Sequence, residues 1–163
     1  MKPALVLIGF LLLCFGIAAI GGYVTSTSVG TWYTQLHKPA WTPSGQSIGR
    51  VWSVLYLLMA VAGWLVWKQA GFTARSRWAM IAFAIQLGLN LLWSVCFFGL
   101  QPPGLAMIEL LILEATIIWT LVLFWNIHRG AAVLFVPYVM WVAFAGVLNG
   151  NIWWLNRLNG VSG

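Results

Sequence analysis

Two carboxyl groups, two imidazoles and a few amides are the side chains in this sequence with chemistry of their own. Glu109 and Glu114 are its only acids, and both lie inside an apolar run. An ionisable group there is costly, so it faces the interior, pairs with a cation, or stays protonated. No Lys or Arg occurs within the chain's apolar runs to pair with either. Glu109, about one helical turn inside its run, reads as a ligand contact or as a neutral acid bonded to a neighbouring helix, with a proton-coupled site as the alternative. Glu114 lies deeper, off any polar stripe, and has no assigned role. His37 and His128 fall at the borders of runs on opposite sides and cannot share a metal; His37, beside Lys38, offers at most a lone axial ligand to haem. There is no metal-ligand cluster, nucleophile elbow or phosphate-cradling glycine loop. Hydrolytic and phosphoryl-transfer chemistry therefore lacks its parts, and no metal site is expected. Cys14 and Cys96 sit in apolar runs as small hydrophobes.

What remains is a set of mixed aromatic and polar faces. Trp52, Tyr56, Met59 and Gly63 fall at i, i+4, i+7 and i+11, one side of a helix, and Gln86, Asn90, Trp93 and Phe97 repeat that spacing. Tyr138, Trp141, Ala145 and Leu148 nearly do so, with Asn149 beside them, and Glu109, Leu113, Thr116 and Thr120 make a fourth stripe. Turned inward together, these faces would line a pocket of indole and phenol with a few hydrogen-bonding groups. Of the 12 Trp, Trp64, Trp67, Trp78, Trp125, Trp153 and Trp154 lie near run ends and read as a headgroup-level belt. Trp93 and Trp141 lie deeper and share faces with polar residues; Trp119 reads as packing.

The elements that must hold these faces are membrane spans. The chain has 163 residues, 62% apolar and 6% charged, with a mean hydropathy of +0.93, whereas a soluble domain carries about a quarter charged residues. That excludes a cytosolic enzyme, a disordered tail and a disulfide scaffold. Apolar runs at 3–22, 51–67, 78–98, 105–125 and 131–155 are each about long enough to cross roughly 30 Å of hydrocarbon as a helix. The expected fold is all-α, an integral membrane bundle of five transmembrane helices forming one domain over 1–163. The loop 23–50 holds Gly30, Pro39, Pro43 and Gly45 among Trp32, Tyr33 and Trp41, and is expected to lie over the bundle as a lid. The other connections, 71–77, 99–104 and 126–130, are tight turns, with Pro102 and Pro103 placed to start the fourth span. Five spans do not divide into two inverted halves, which counts against the usual secondary-transporter plan. The net charge is +6, but the cations are scattered singly and make no basic face for phosphates, so no nucleic-acid partner is expected. Lys2, Lys68, Arg75, Arg77 and Arg129 fall on one side of the spans and Lys38, Arg50 and Arg157 on the other. The positive-inside rule then puts the amino end inside and the long loop outside.

Trp32-Tyr33, Leu36, Lys38-Pro39, Trp41, Pro43, Gly49 and Val51-Trp52 resemble the first-loop pattern of the TspO/MBR family of tryptophan-rich sensory proteins, which includes the mitochondrial translocator protein. Asn90-Leu91-Leu92-Trp93-Ser94 with Phe97-Phe98-Gly99 resembles its third-helix motif; Pro137-Tyr138, Trp141, Phe144-Ala145, Leu148-Asn149 and Trp153 resemble its fifth. The resemblance implies a five-helix bundle, commonly a homodimer, in a bacterial membrane. It would bind porphyrin, haem or other flat hydrophobic ligands in a pocket closed by the first loop, with no cofactor required. Carried over position by position, the ligand-facing residues would be Tyr33, Pro43, Trp52, Tyr56, Asn90, Trp93, Trp141 and Ala145, with Glu109 at a site that is often acidic. Indole walls suit the flat faces of a tetrapyrrole, and Lys38 or Arg50 at the mouth would meet a propionate. The alternatives are a light-dependent porphyrin-degrading enzyme, with Trp52 and Trp141 passing electrons to the excited ligand, and a proton-coupled exporter using Glu109. Two features depart from the family pattern. Pro43-Ser44 stands where the family pairs two prolines, which would loosen the lid. Gly150 and Trp154 stand where the cholesterol-associated motif of the animal members needs Tyr and a basic residue, so the resemblance does not extend to sterol recognition.

Overall fold

A computed structural model describes residues 2–157. Its helices begin and end at local signals that the side chains supply. Helix α1 (Pro3–Ser26) opens on a proline, which needs no partner for its missing N–H. In its last turns the hydroxyls of Thr25, Ser26 and Thr27 donate back to the carbonyls of Gly21, Tyr23 and Val24 at 2.9, 2.6 and 2.7 Å, which satisfies them on the helix itself. A single turn, α2 (Trp32–Gln35), interrupts the long loop. Helix α3 (Gly45–Ala70) starts where the Ser44 hydroxyl accepts from the Ser47 N–H at 3.2 Å, an N-cap. It stops at Gly71, whose φ of +61° suits a residue without a Cβ. Helix α4 (Arg77–Ser94) runs on into a π-helical turn, Val95–Leu100, closed by Gln101 at φ +73°. Helix α5 (Pro103–Trp125) again opens on a proline, and α6 (Arg129–Asn156) is capped by His128, whose Nδ1 accepts from the Ala131 N–H at 3.1 Å.

Five of these helices are long and apolar enough to cross a membrane. They close into a ring in the order α1, α3, α6, α5, α4. The long loop, the α4–α5 turn and the end of α6 share one end of the bundle; the amino terminus and the α3–α4 and α5–α6 turns share the other. Cations sit over indole rings near the ends: Lys68 over Trp64, Arg77 over Trp78, Arg129 over Trp125 and Arg157 over Trp154, pairs that suit the headgroup level.

In lipid, helices associate by close packing rather than by escape from water, and the half of the bundle away from the loop is packed in that way. Phe10, Phe83, Phe124 and Phe135 form one cluster with ring centroids 5.1–6.3 Å apart, and Met59 beside it is fully buried. Gly63 permits this approach, because a Cβ there would lie 2.7 Å from the Phe10 ring.

The spans extend beyond the apolar runs at most ends. The largest difference is at α3, which starts six residues before the expected 51 because the Ser44 cap allows a polar first turn. The loop therefore shrinks from 23–50 to 27–44, and Ser44, expected to loosen the lid in place of a second proline, anchors a helix. The turn expected over 99–104 is partly taken up by the π-helical end of α4.

Candidate functional site

Near the loop end the ring does not fill. A cavity of about 510 Å³ lies between α1, α3, α4, α6 and the loop, within the roughly 300–1,000 Å³ typical of small-molecule sites. Its floor is a hydrogen-bonded row across three helices: Tyr56 of α3 donates to Asn90 Oδ1 of α4 at 2.5 Å, and Asn90 Nδ2 donates to the hydroxyl of Tyr138 on α6 at 2.8 Å. Tyr56 and Asn90 face the cavity; Tyr138 lies beneath, fully buried. Trp52 leans over this row, 5.8 Å from the Tyr56 ring and 6.1 Å from the Tyr138 ring.

The walls are aromatic. Trp93 stacks on Phe97 at 5.3 Å and 19°, and Trp141 packs on Phe144 at 5.3 Å. The π-helical turn places Phe97 and Phe98 in the wall; such turns recur at functional sites. Both indole Nε1 atoms, and Oδ1 of Asn149 in the same lining, are buried without a hydrogen-bond partner. Groups left unpaired in this way carry a cost of about 1–3 kcal/mol each. The loop supplies Tyr33 and Pro43. The Tyr33 ring meets Phe97 and Phe98 at 6.1 and 5.6 Å, and burial pushes its phenol pKa up.

Of the nine positions singled out in the sequence, Tyr33, Pro43, Trp52, Tyr56, Asn90, Trp93, Trp141 and Ala145 all line this one cavity. Glu109 does not. It is buried on α5, a helix that contributes nothing to the lining, and neither of its oxygens has a partner. The stripes therefore do not all turn inward to one pocket: α5 packs behind α4 and α6, and α1 takes its place with Phe15, Ala18, Gly21, Gly22, Thr25 and Ser26. Met59, Gly63 and Gln86, one or two turns along their helices from the lining, lie in the packed interior instead.

Neither cation expected at the mouth lines the cavity. Lys38 turns back on its own loop, donating to the carbonyls of Tyr33 at 2.6 Å and Leu36 at 3.1 Å and lying over the Tyr33 ring. Arg50 is exposed, on a different side of α3 from Gly49, Trp52 and Ser53. No charged residue is among those lining the cavity. His37 is held through its backbone, which exchanges two hydrogen bonds with the Asn156 amide at 3.0 and 2.9 Å. No group of three metal-ligating side chains gathers among the described residues.

Five spans, four of which surround a charge-free aromatic cavity at one end, define an integral membrane protein. The chain belongs to the TspO/MBR family, whose model matches residues 10–155. It is similar to the tryptophan-rich protein TspO of Archaeoglobus fulgidus, 38% identical over 92% of this chain and 96% of that one. Protein CrtK of Rhodobacter capsulatus is 37% identical over 79% of this chain and 81% of its own. The translocator protein of Sus scrofa is 33% identical over 93% and 90%.

Proposed function

We propose that this protein is a membrane receptor or carrier for tetrapyrroles and other flat hydrophobic molecules, held in the cavity between α1, α3, α4 and α6. The observation that carries the reading is the lining itself: Tyr33, Trp52, Trp93 and Trp141 supply broad aromatic faces, and no charge interrupts them. A macrocycle gains stacking and dispersion there without desolvating an ion. Its propionates would stay outside the lining, which holds no charged residue to meet them. A small rotation of Trp93 or Trp141 would give an unpaired N–H an acceptor on the ligand, relieving a cost already present. The name of the translocator relatives agrees with a carrier, and the family resemblance with a homodimer. Titrating the purified protein with protoporphyrin IX while following Trp fluorescence tests the reading. Saturable quenching supports it, and quenching no greater than that of free indole removes it.

A further inference from the structure

We propose that the cavity opens sideways to the bilayer through a slot between α1 and α3, and that its ligand arrives through this slot as a thin planar molecule already dissolved in the lipid. The proposal rests on reading the cavity as a site for flat ligands. Its first support is a difference in exposure around the lining. Tyr56, Asn90, Phe97 and Asn149 are covered, whereas Phe15, Gly22 and Ser26 of α1 and Gly45, Gly49 and Ser53 of α3 line the cavity and are exposed. Residues that do both mark an opening. A Cβ added at Gly22 or Gly49 would meet nothing within 4 Å, so no neighbouring side chain covers either position.

The slot lies at membrane depth. Gly22 and Gly49 are each about one turn from the loop-side end of their helix, and Phe15 is roughly 16 Å down α1, near the middle of a hydrocarbon layer of about 30 Å. Ile20 and Val54, on other faces of the same two helices, are exposed apolar residues, as lipid-facing positions are. Its rim is quiet: the hydroxyls of Thr25, Ser26 and Ser53 already donate to carbonyls of their own helices.

Of the loop residues in the lining only Val29 is exposed, and the other approaches are largely obstructed. At the loop end, the Ser28 hydroxyl donates to the Phe98 carbonyl, Leu36 is buried, and His37 is gripped by Asn156. Below the floor, Phe83, Phe124 and Phe135 fill the interior. The exposed lining residues run along α1 from Phe15 to Ser26 and along α3 from Gly45 to Ser53, with glycines at three of the positions, an elongated edge that suits a planar molecule entering edge-on.

The test uses the parent chain in lipid nanodiscs, with Gly22→Leu and Gly49→Leu as single variants and protoporphyrin IX as the probe. The variants Gly9→Leu and Gly16→Leu control for adding bulk to a helix, since both positions are exposed, have the same empty surroundings and lie off the lining. Stopped-flow quenching should show association slowed about tenfold or more in each slot variant and unchanged in both controls. In the parent, the rate should follow porphyrin per lipid rather than porphyrin per volume of water. Association at the parent rate in both slot variants, with binding intact, overturns the slot and leaves the binding site standing. A parent that takes up no protoporphyrin IX overturns the ligand class and the route together.

Discussion

Trp141 presents an aromatic face to the cavity and packs on Phe144 behind it, so its removal separates ligand contact from structural support. Trp141→Ala is expected to fold and to bind protoporphyrin IX more weakly by on the order of 1–3 kcal/mol, by analogy with the loss of one stacking partner. Fluorescence titration of the detergent-stable variant checks this, and parent affinity would place the ligand elsewhere. Glu109→Gln should change binding little, because Glu109 lies off the lining and the amide copies its shape. Loss of porphyrin binding in a folded Glu109→Gln protein would show that the carboxylate reaches the site through α4 or α6. At this scale the sequence was readable where side chains are conspicuous: Trp, Tyr and Asn at helical spacing mark the faces of α3, α4 and α6. The α1 wall escaped because Ala18, Gly21 and Gly22 lie in a uniformly apolar run with no contrast between faces. Glu109 misled because burial in a membrane protein and facing the ligand are different fates for the same conspicuous residue.

Among the elements, the loop and the α1–α3 crossing carry the sharpest expectations. Asn156 spends its amide on both backbone groups of His37, as a neighbouring strand would, and this fastens the loop to the end of α6. Asn156→Ala leaves those groups without that partner, a loss of about 1–3 kcal/mol. Hydrogen exchange should then rise in residues 36–39, with a lower melting temperature in detergent; exchange equal to the parent would mean that Leu36 and Lys38 hold the loop unaided. Gly63→Ala places a methyl group 2.7 Å from the Phe10 ring and 3.1 Å from that of Phe83. It should cost about 1–3 kcal/mol through overpacking, read as a fall in thermal stability, while Gly9→Ala, with open space around it, should not. That five helices exist follows directly from apolar length. Their ends do not, because they depend on short-range chemistry that hydropathy ignores, such as the Ser44 cap. The π-helical turn has no sequence signature of its own: Cys96 accepts from the Gln101 N–H five residues on, a register that only the packed bundle selects.

Taken whole, the molecule is open in one half and solid in the other, and this bears on whether it can move what it binds. A carrier that alternates access needs its site to reach each side in turn, through a two-state element that a ligand or an ion can bias. Beneath Tyr56, Asn90 and Tyr138 the ring is filled by Phe83, Phe124 and Phe135, with centroids 5.1–6.3 Å apart, and by Met59. Displacing that cluster means repacking several aromatic side chains at once, in an interior that resists gradual deformation. Glu109, the residue on which proton coupling would turn, sits outside the cavity on the one spanning helix that does not line it. The expected behaviour is therefore reversible capture from one side without pumping. Proteoliposomes loaded with protoporphyrin IX should release it no faster under an imposed pH gradient than without one, and Glu109→Gln should not alter the rate. Gradient-driven efflux that disappears in Glu109→Gln would show that the aromatic half opens during a cycle, and would shift the reading from receptor to proton-coupled exporter.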